Sequence, residues 1–259
     1  MSLRFQDKVA IVTGGCSGIG KGCAEVLVEQ GGIVVVLDKA ADETSPSLTG
    51  PGKVKYMKCD VTNEEQVKNC VEQTVKDFGK IDCLVNNAGV HTGLVTIDTI
   101  SVEDFKTLFD INVVSMFIMS KYALPHLRKT KGSIVNLSSF SAVAGQASCP
   151  TYCATKGAIT SFAKGLAADE AKNGVRVNTI CPGPTNTPLL QGIPGGDNPD
   201  NKYEMQLCRF GEPREIGLAC LYLAADATFS TGATLMCTGG AEIGYGLKYR
   251  KELLLPNGN

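Results

Sequence analysis

Short apolar runs alternate with longer stretches of mixed character from one end of the chain to the other. The runs are KVAIVT (8–13), IVVVLD (33–38), VKYMKCD (54–60), IDCLVNN (81–87), GSIVNLSS (132–139), VRVNTIC (175–181) and ATLMCTG (233–239). Several are apolar at consecutive positions rather than at every second one, the pattern of strands covered on both faces. Between them, stretches such as EEQVKNCVEQTVKDFG (64–79) and EDFKTLFDINVVSMFIMSKYALPHL (103–127) repeat their apolar residues at helical spacing. This alternation predicts an α/β fold: a doubly wound, seven-stranded, mostly parallel sheet with helices on both faces. No linker or internal repeat divides residues 1–259, so one domain is expected, ending in a tail over 247–259. Residues 187–213 break the rhythm with Gly, Pro, Asn and Asp. A segment of that length and composition reads as a mobile flap over a substrate pocket, or as a surface insertion.

Composition narrows the picture. At 259 residues the chain can bury a substantial core, and 43% hydrophobic with 20% charged residues describes a globular protein. The net charge is −1 with scattered basic residues, which argues against nucleic-acid or membrane partners. The N-terminal stretch has no apolar run of signal-sequence length. Eleven cysteines, an odd number without a C-x-x-C pair, read as free thiols in a reducing cytoplasm, several of them (Cys59, Cys83, Cys181, Cys237) in buried strands. With only two histidines, no metal site is expected.

VAIVTGGCSGIGKGCAEVLVEQGG (9–32) reads as strand, glycine turn and helix. Gly14, Gly18 and Gly20 would let the backbone approach a pyrophosphate seated on the positive end of the helix dipole. Asp38 closes the second run, eighteen positions after Gly20. A carboxylate there accepts hydrogen bonds from adenosine ribose hydroxyls and repels a 2′-phosphate, so NAD is expected as the cofactor. The neighbouring Lys39 would partly offset that repulsion. Asp60 can hydrogen-bond the adenine edge or serve simply as a turn aspartate.

The ends of the fourth and fifth runs, VNNAG (85–89) and NLSS (136–139), fall at the sheet edge where an open parallel sheet binds its ligand. Tyr152 and Lys156 follow one helical turn apart. A serine, a phenol and an ammonium therefore converge on one edge.

The motifs T-G-x-x-x-G-I-G, N-N-A-G, a serine thirteen positions before Y-x-x-x-K, and PGPTNT after the sixth run together resemble the short-chain dehydrogenase/reductase family. The resemblance spans roughly residues 5–246 and implies a single Rossmann-type domain. It also implies that Tyr152 moves the hydroxyl proton, Lys156 favours the phenolate and holds the nicotinamide ribose, Ser139 holds the substrate oxygen, and Asn112 anchors a relay water near Lys156. A free phenol titrates near pKa ~10; lowering it by ~2–3 pH units corresponds to about 3–4 kcal/mol. On the same basis Ser17, Ile19, Val61, Asn87, Ala88 and Gly89 belong to the nucleotide surface. Pro182 and Gly183 lie near the nicotinamide, and Thr185 and Thr187 contact its carboxamide or the pyrophosphate. Homotetramers are common in the family, and the ATLMCTGGA strand offers an interface.

CDVTNEEQVK, FGKIDCLVNNAGVH, ALPHLRK, AGQAS and TGGAEIGYG are similar to animal members of that family acting on 17-beta-hydroxysteroids or L-fucose. That narrower likeness implies that His91 and Gln146 flank the substrate and that Tyr245 closes a neighbouring subunit's pocket. The chain departs from those members in its glycine-rich flap, its diverged tail and its lack of tryptophan. The expected reaction is NAD-dependent oxidation of a secondary alcohol, steroid-like or sugar. The alternatives are an NADP-linked carbonyl reductase and a catalytically silent nucleotide-binding scaffold.

Overall fold

A computed structural model describes residues 3–243. Tyr245 and the 247–259 tail lie outside the described residues. The chain runs β1 (Val9–Thr13), α1 (Gly18–Glu29), β2 (Ile33–Asp38), β3 (Lys53–Lys58), α2 (Glu64–Phe78) and β4 (Cys83–Asn86). It continues through α3 (Val102–Phe109), α4 (Ser115–Thr130), β5 (Ser133–Leu137), α5 (Pro150–Glu170) and β6 (Arg176–Pro182). It closes with α6 (Pro188–Gln191), α7 (Pro213–Leu221) and β7 (Thr234–Cys237). All seven strands form one sheet in the order β3-β2-β1-β4-β5-β6-β7, and every pairing is parallel.

The consecutive apolar residues have the cause inferred for them. Ala10, Val12, Val34 and Val36 pack with Leu27 of α1 and Ile216 of α7 on one face. Their alternates Ile11, Val35 and Leu37 pack on the other face, in a core that includes Val67 of α2, Leu127 of α4 and Ala163 of α5. With both faces covered, strand residues in the sheet centre need apolar side chains throughout. The edge strands β3 and β7 are only partly buried. Of the cysteines placed in buried strands, Cys59 lies just past β3 and Cys237 is half-buried on β7. Both sit where the sheet ends, and all eleven thiols are free.

Helix α1 is set by contact with α7: a Cβ on Gly217 would lie 2.3 Å from the Gly22 carbonyl oxygen. The helix expected over 103–127 is longer and interrupted. Between α3 and α4 the chain makes one π-helical turn, Asp110–Val114, in which the Ser115 N–H reaches back to the Asp110 carbonyl. The whole rod, Val102–Thr130, has the length and hydropathy of a membrane span, but half of its apolar window is buried within the domain. The 187–213 flap is folded rather than formless. It contains α6 and a 3-10 helix, Pro199–Glu204, and is pinned by Met205, which is fully buried.

Candidate active site

The strand order reverses between β1 and β4, so the crevice opens beyond their carboxyl ends. Thr13 holds its two walls together. Its hydroxyl accepts from the Asn87 and Ala88 amides, both at 3.0 Å, while the Asn87 side chain donates to the Thr13 and Gly14 carbonyls. This clasp leaves no room beside the glycine turn: a Cβ on Gly20 would stand 2.1 Å from the Gly14 carbonyl oxygen, and Gly18 has φ +52. Ser17 precedes α1 without capping it, whereas Asn63 caps α2 and Ser101 caps α3. An uncapped helix terminus at a tight glycine turn suits a pyrophosphate, and Thr187 lies against Gly18 across it. The described residues thus fit a dinucleotide.

At the adenosine end, Asp38 accepts from the Cys16 and Ala40 amides, both at 3.0 Å. Lys39 pairs with Asp60 at 3.0 Å. The other Asp60 oxygen accepts from the Thr62 amide and hydroxyl, so Asp60 is a turn aspartate with both oxygens engaged. Those contacts and Lys39 hold its carboxyl below the usual range against the opposing effect of partial burial. Val61 beside it is buried.

Ser139, Tyr152 and Lys156 come together under the ends of β5 and β6. Tyr152 and Lys156 are buried, and the Lys156 Nζ lies 5.6 Å from the Tyr152 ring centroid and donates to the Leu137 carbonyl at 3.1 Å. The electrostatic expectation for this pair needs correcting. Burial dominates: it pushes the Tyr152 phenol above its ordinary value and pulls the Lys156 ammonium down to about 8. Desolvation penalises both charged forms, and no carboxylate among the described residues compensates the lysine. What draws the phenol back down is the hydrogen bond from Ser139. The lysine's field is felt instead by His91, whose imidazole is kept neutral by burial and by that charge.

Asn112, in the π-helical turn, is buried, and its side chain is engaged by protein groups. Its Oδ1 accepts from the Val90 amide at 2.8 Å, and its Nδ2 donates to the Val90 carbonyl and to the Thr155 hydroxyl. Thr155 in turn donates to the Tyr152 carbonyl. The amide therefore clamps the β4 loop to α5 and holds Gly89 between itself and Lys156. Sequence spacing located this residue but not its partners.

A cavity of about 650 Å³ joins the two halves. Ile19, Pro182, Gly183, Thr185 and Thr187 line its nucleotide side; His91, Ser139, Gln146 and Tyr152 line the other. The His91 ring lies over Tyr152 at 4.2 Å between centroids, and its Nδ1 accepts from the Gly93 amide at 2.9 Å, leaving Nε2 as the protonated nitrogen. The folded flap supplies Leu189, Leu190, Ile193, Tyr203, Glu204 and Met205 to the same wall. The apolar PLLQGI run (188–193) is legible in the sequence, but Tyr203, Glu204 and Met205 are not, because a Gly- and Pro-dense stretch has no periodicity from which side-chain direction is read. Ser141 also lines the cavity and was missed, as it lies beyond the motif that marks Ser139.

The family model described as Enoyl-(Acyl carrier protein) reductase matches residues 14–242. The chain belongs to the short-chain dehydrogenase/reductase family. It is 43% identical to an L-fucose dehydrogenase of Bos taurus over 256 residues, covering 96% of this chain and 94% of that one. It is 35% identical to a meso-2,3-butanediol dehydrogenase of Serratia marcescens, covering 92% and 96% of the two chains. The solved, ligand-free aldohexose dehydrogenase of Thermoplasma acidophilum superposes with a TM-score of 0.85 at 31% identity, covering 97% of this chain and all of that one. As a family member the chain is an oxidoreductase that uses a nicotinamide cofactor.

Proposed function

We propose that the protein is an NAD-dependent dehydrogenase of a polyhydroxylated secondary alcohol of the sugar class. The observation that carries this reading is the convergence of Ser139, Tyr152 and buried Lys156 on a cavity whose far wall mixes polar and apolar groups. A sugar ring presents hydroxyls that need partners and C–H faces that need apolar contact. His91, Gln146, Tyr203 and Glu204 supply the first; Leu189, Leu190 and Met205 supply the second. The likeness to dehydrogenases named for L-fucose, aldohexose and butanediol favours this class over the steroid reading.

The preference for NAD rests on Asp38 at the end of β2 and on the Lys39–Asp60 pair, in which the neighbouring lysine is already engaged by a carboxylate rather than open to a 2′-phosphate. When bound, the nicotinamide supplies the hydride acceptor. The rest of the step belongs to side chains. Tyr152, in its phenolate form, accepts the hydroxyl proton at its phenolic oxygen, Ser139 donates a hydrogen bond to the same substrate oxygen, and Lys156 holds the ribose with the protons left free by Leu137. A cytoplasmic homotetramer is proposed by family analogy.

The test is direct: NADH formation is measured with L-fucose, other aldoses, 2,3-butanediol and 17-beta-hydroxysteroids. Turnover of a sugar with NAD, and not of steroids, is the expected result; a preference for steroids or for NADP would overturn the respective half of the reading.

A further inference from the structure

Ser139 does two jobs. It caps the short 3-10 turn Phe140–Ala142, accepting at its Oγ from the Ser141 amide at 3.1 Å. The same oxygen accepts from the Ser141 hydroxyl at 2.7 Å. A serine hydroxyl has two acceptor lone pairs and one proton. Both lone pairs of Ser139 are therefore taken by one residue, and only its proton is left to use.

We propose that Ser141 is a positioning residue that fixes Ser139 as a one-way hydrogen-bond donor to the reacting oxygen. The proposal rests on the acid/base reading of Ser139 and Tyr152. Its consequence is directional. Without Ser141, the Ser139 hydroxyl can rotate to accept the substrate's own proton, a dead end that competes with transfer to Tyr152. With Ser141 in place, that orientation has no acceptor to offer. The substrate hydroxyl then has one place to send its proton, the Tyr152 oxygen, while Ser139 stabilises charge growing on the substrate oxygen. Ser141 is buried beside the cavity and supports this from behind Ser139.

The experiment compares Ser141→Ala, Ser141→Thr and Ser139→Ala, singly and combined, using L-fucose and 2,3-butanediol with NAD. Loss of one supporting hydrogen bond is expected to lower kcat about five- to tenfold, with NADH affinity unchanged. Ser141→Thr, which keeps the hydroxyl, is expected to restore most of it. In the Ser139→Ala background Ser141→Ala is expected to cost nothing more. A second readout needs no turnover: the Tyr152 phenol of the NAD-bound protein, followed by ultraviolet difference spectroscopy against Tyr152→Phe, is expected to titrate at higher pH in Ser141→Ala and normally in Ser141→Thr. Equal kcat and equal titration in wild type and Ser141→Ala would overturn the role of Ser141, as would an equal loss with and without Ser139. Full turnover in Ser139→Ala would instead remove the acid/base reading itself.

Discussion

The two ends of the crevice treat charge in opposite ways. At the adenosine rim, Lys39 and Asp60 face each other in a partly solvated pair. At the catalytic floor, Lys156 is buried with a carbonyl for a partner and no carboxylate among the described residues. An ion pair at the surface contributes little to stability. An unpaired buried cation destabilises the ligand-free fold and is kept because the chemistry uses it. On the proposed reading, the rim selects the nucleotide and the floor carries its chemistry.

The largest effect expected concerns the floor. Tyr152→Phe should lower turnover by at least about a hundredfold while NADH binding, followed by fluorescence, stays near wild type. Unchanged turnover would remove the phenol from the reaction. The pH profile sharpens the same point. Because burial keeps the phenol protonated, kcat/KM for alcohol oxidation should climb about tenfold per pH unit between roughly pH 6 and 8. A flat profile there would mean that Tyr152 is not the rate-determining base.

Lys156→Met should abolish activity yet stabilise the ligand-free protein by about 1–3 kcal/mol at neutral pH, the unpaired Leu137 carbonyl set against the gain. The sign follows from proton counting. The folded lysine releases its proton near 8 and the unfolded one near 10.5, so between those values the unfolded chain binds more protons. Wild-type stability rises with pH across that window, and its gap to Lys156→Met should close there in urea titrations. A destabilised variant with a pH-independent gap would contradict the buried, unpaired cation.

Smaller effects are expected at the rim. Asp38→Ala should raise the NADPH-to-NADH affinity ratio about tenfold or more. Asp60→Asn, which frees Lys39, should raise it only a few-fold, and added salt should erase that gain. A salt-insensitive change would place the selectivity elsewhere.

Much of this was legible in the residues and some was not. Consecutive Val, Ile and Leu gave away strands buried on both faces, and the spacing from Ser139 to Tyr152 to Lys156 located the floor. Spacing carries no information about solvent, so the lowering expected of the phenol beside Lys156 left out burial, which raises it. The Lys39–Asp60 pair joins the ends of neighbouring strands twenty-one positions apart in sequence, a contact fixed only by the β2–β3 register. The clamp made by Asn112 depends on a helical irregularity that apolar periodicity does not resolve. The flap's burial of Met205 depends on tertiary contact, which a run of Gly and Pro does not announce.

That irregularity also governs which changes of length the chain tolerates. One extra residue is accommodated in Asp110–Val114, so the rows of side chains on α3 and α4 are out of phase by about 100° relative to an uninterrupted helix. Deleting a single residue there would make a more regular rod and swing the α3 face away from α5. Local helical order would improve while the loop carrying Gly89 and Val90 lost its anchor.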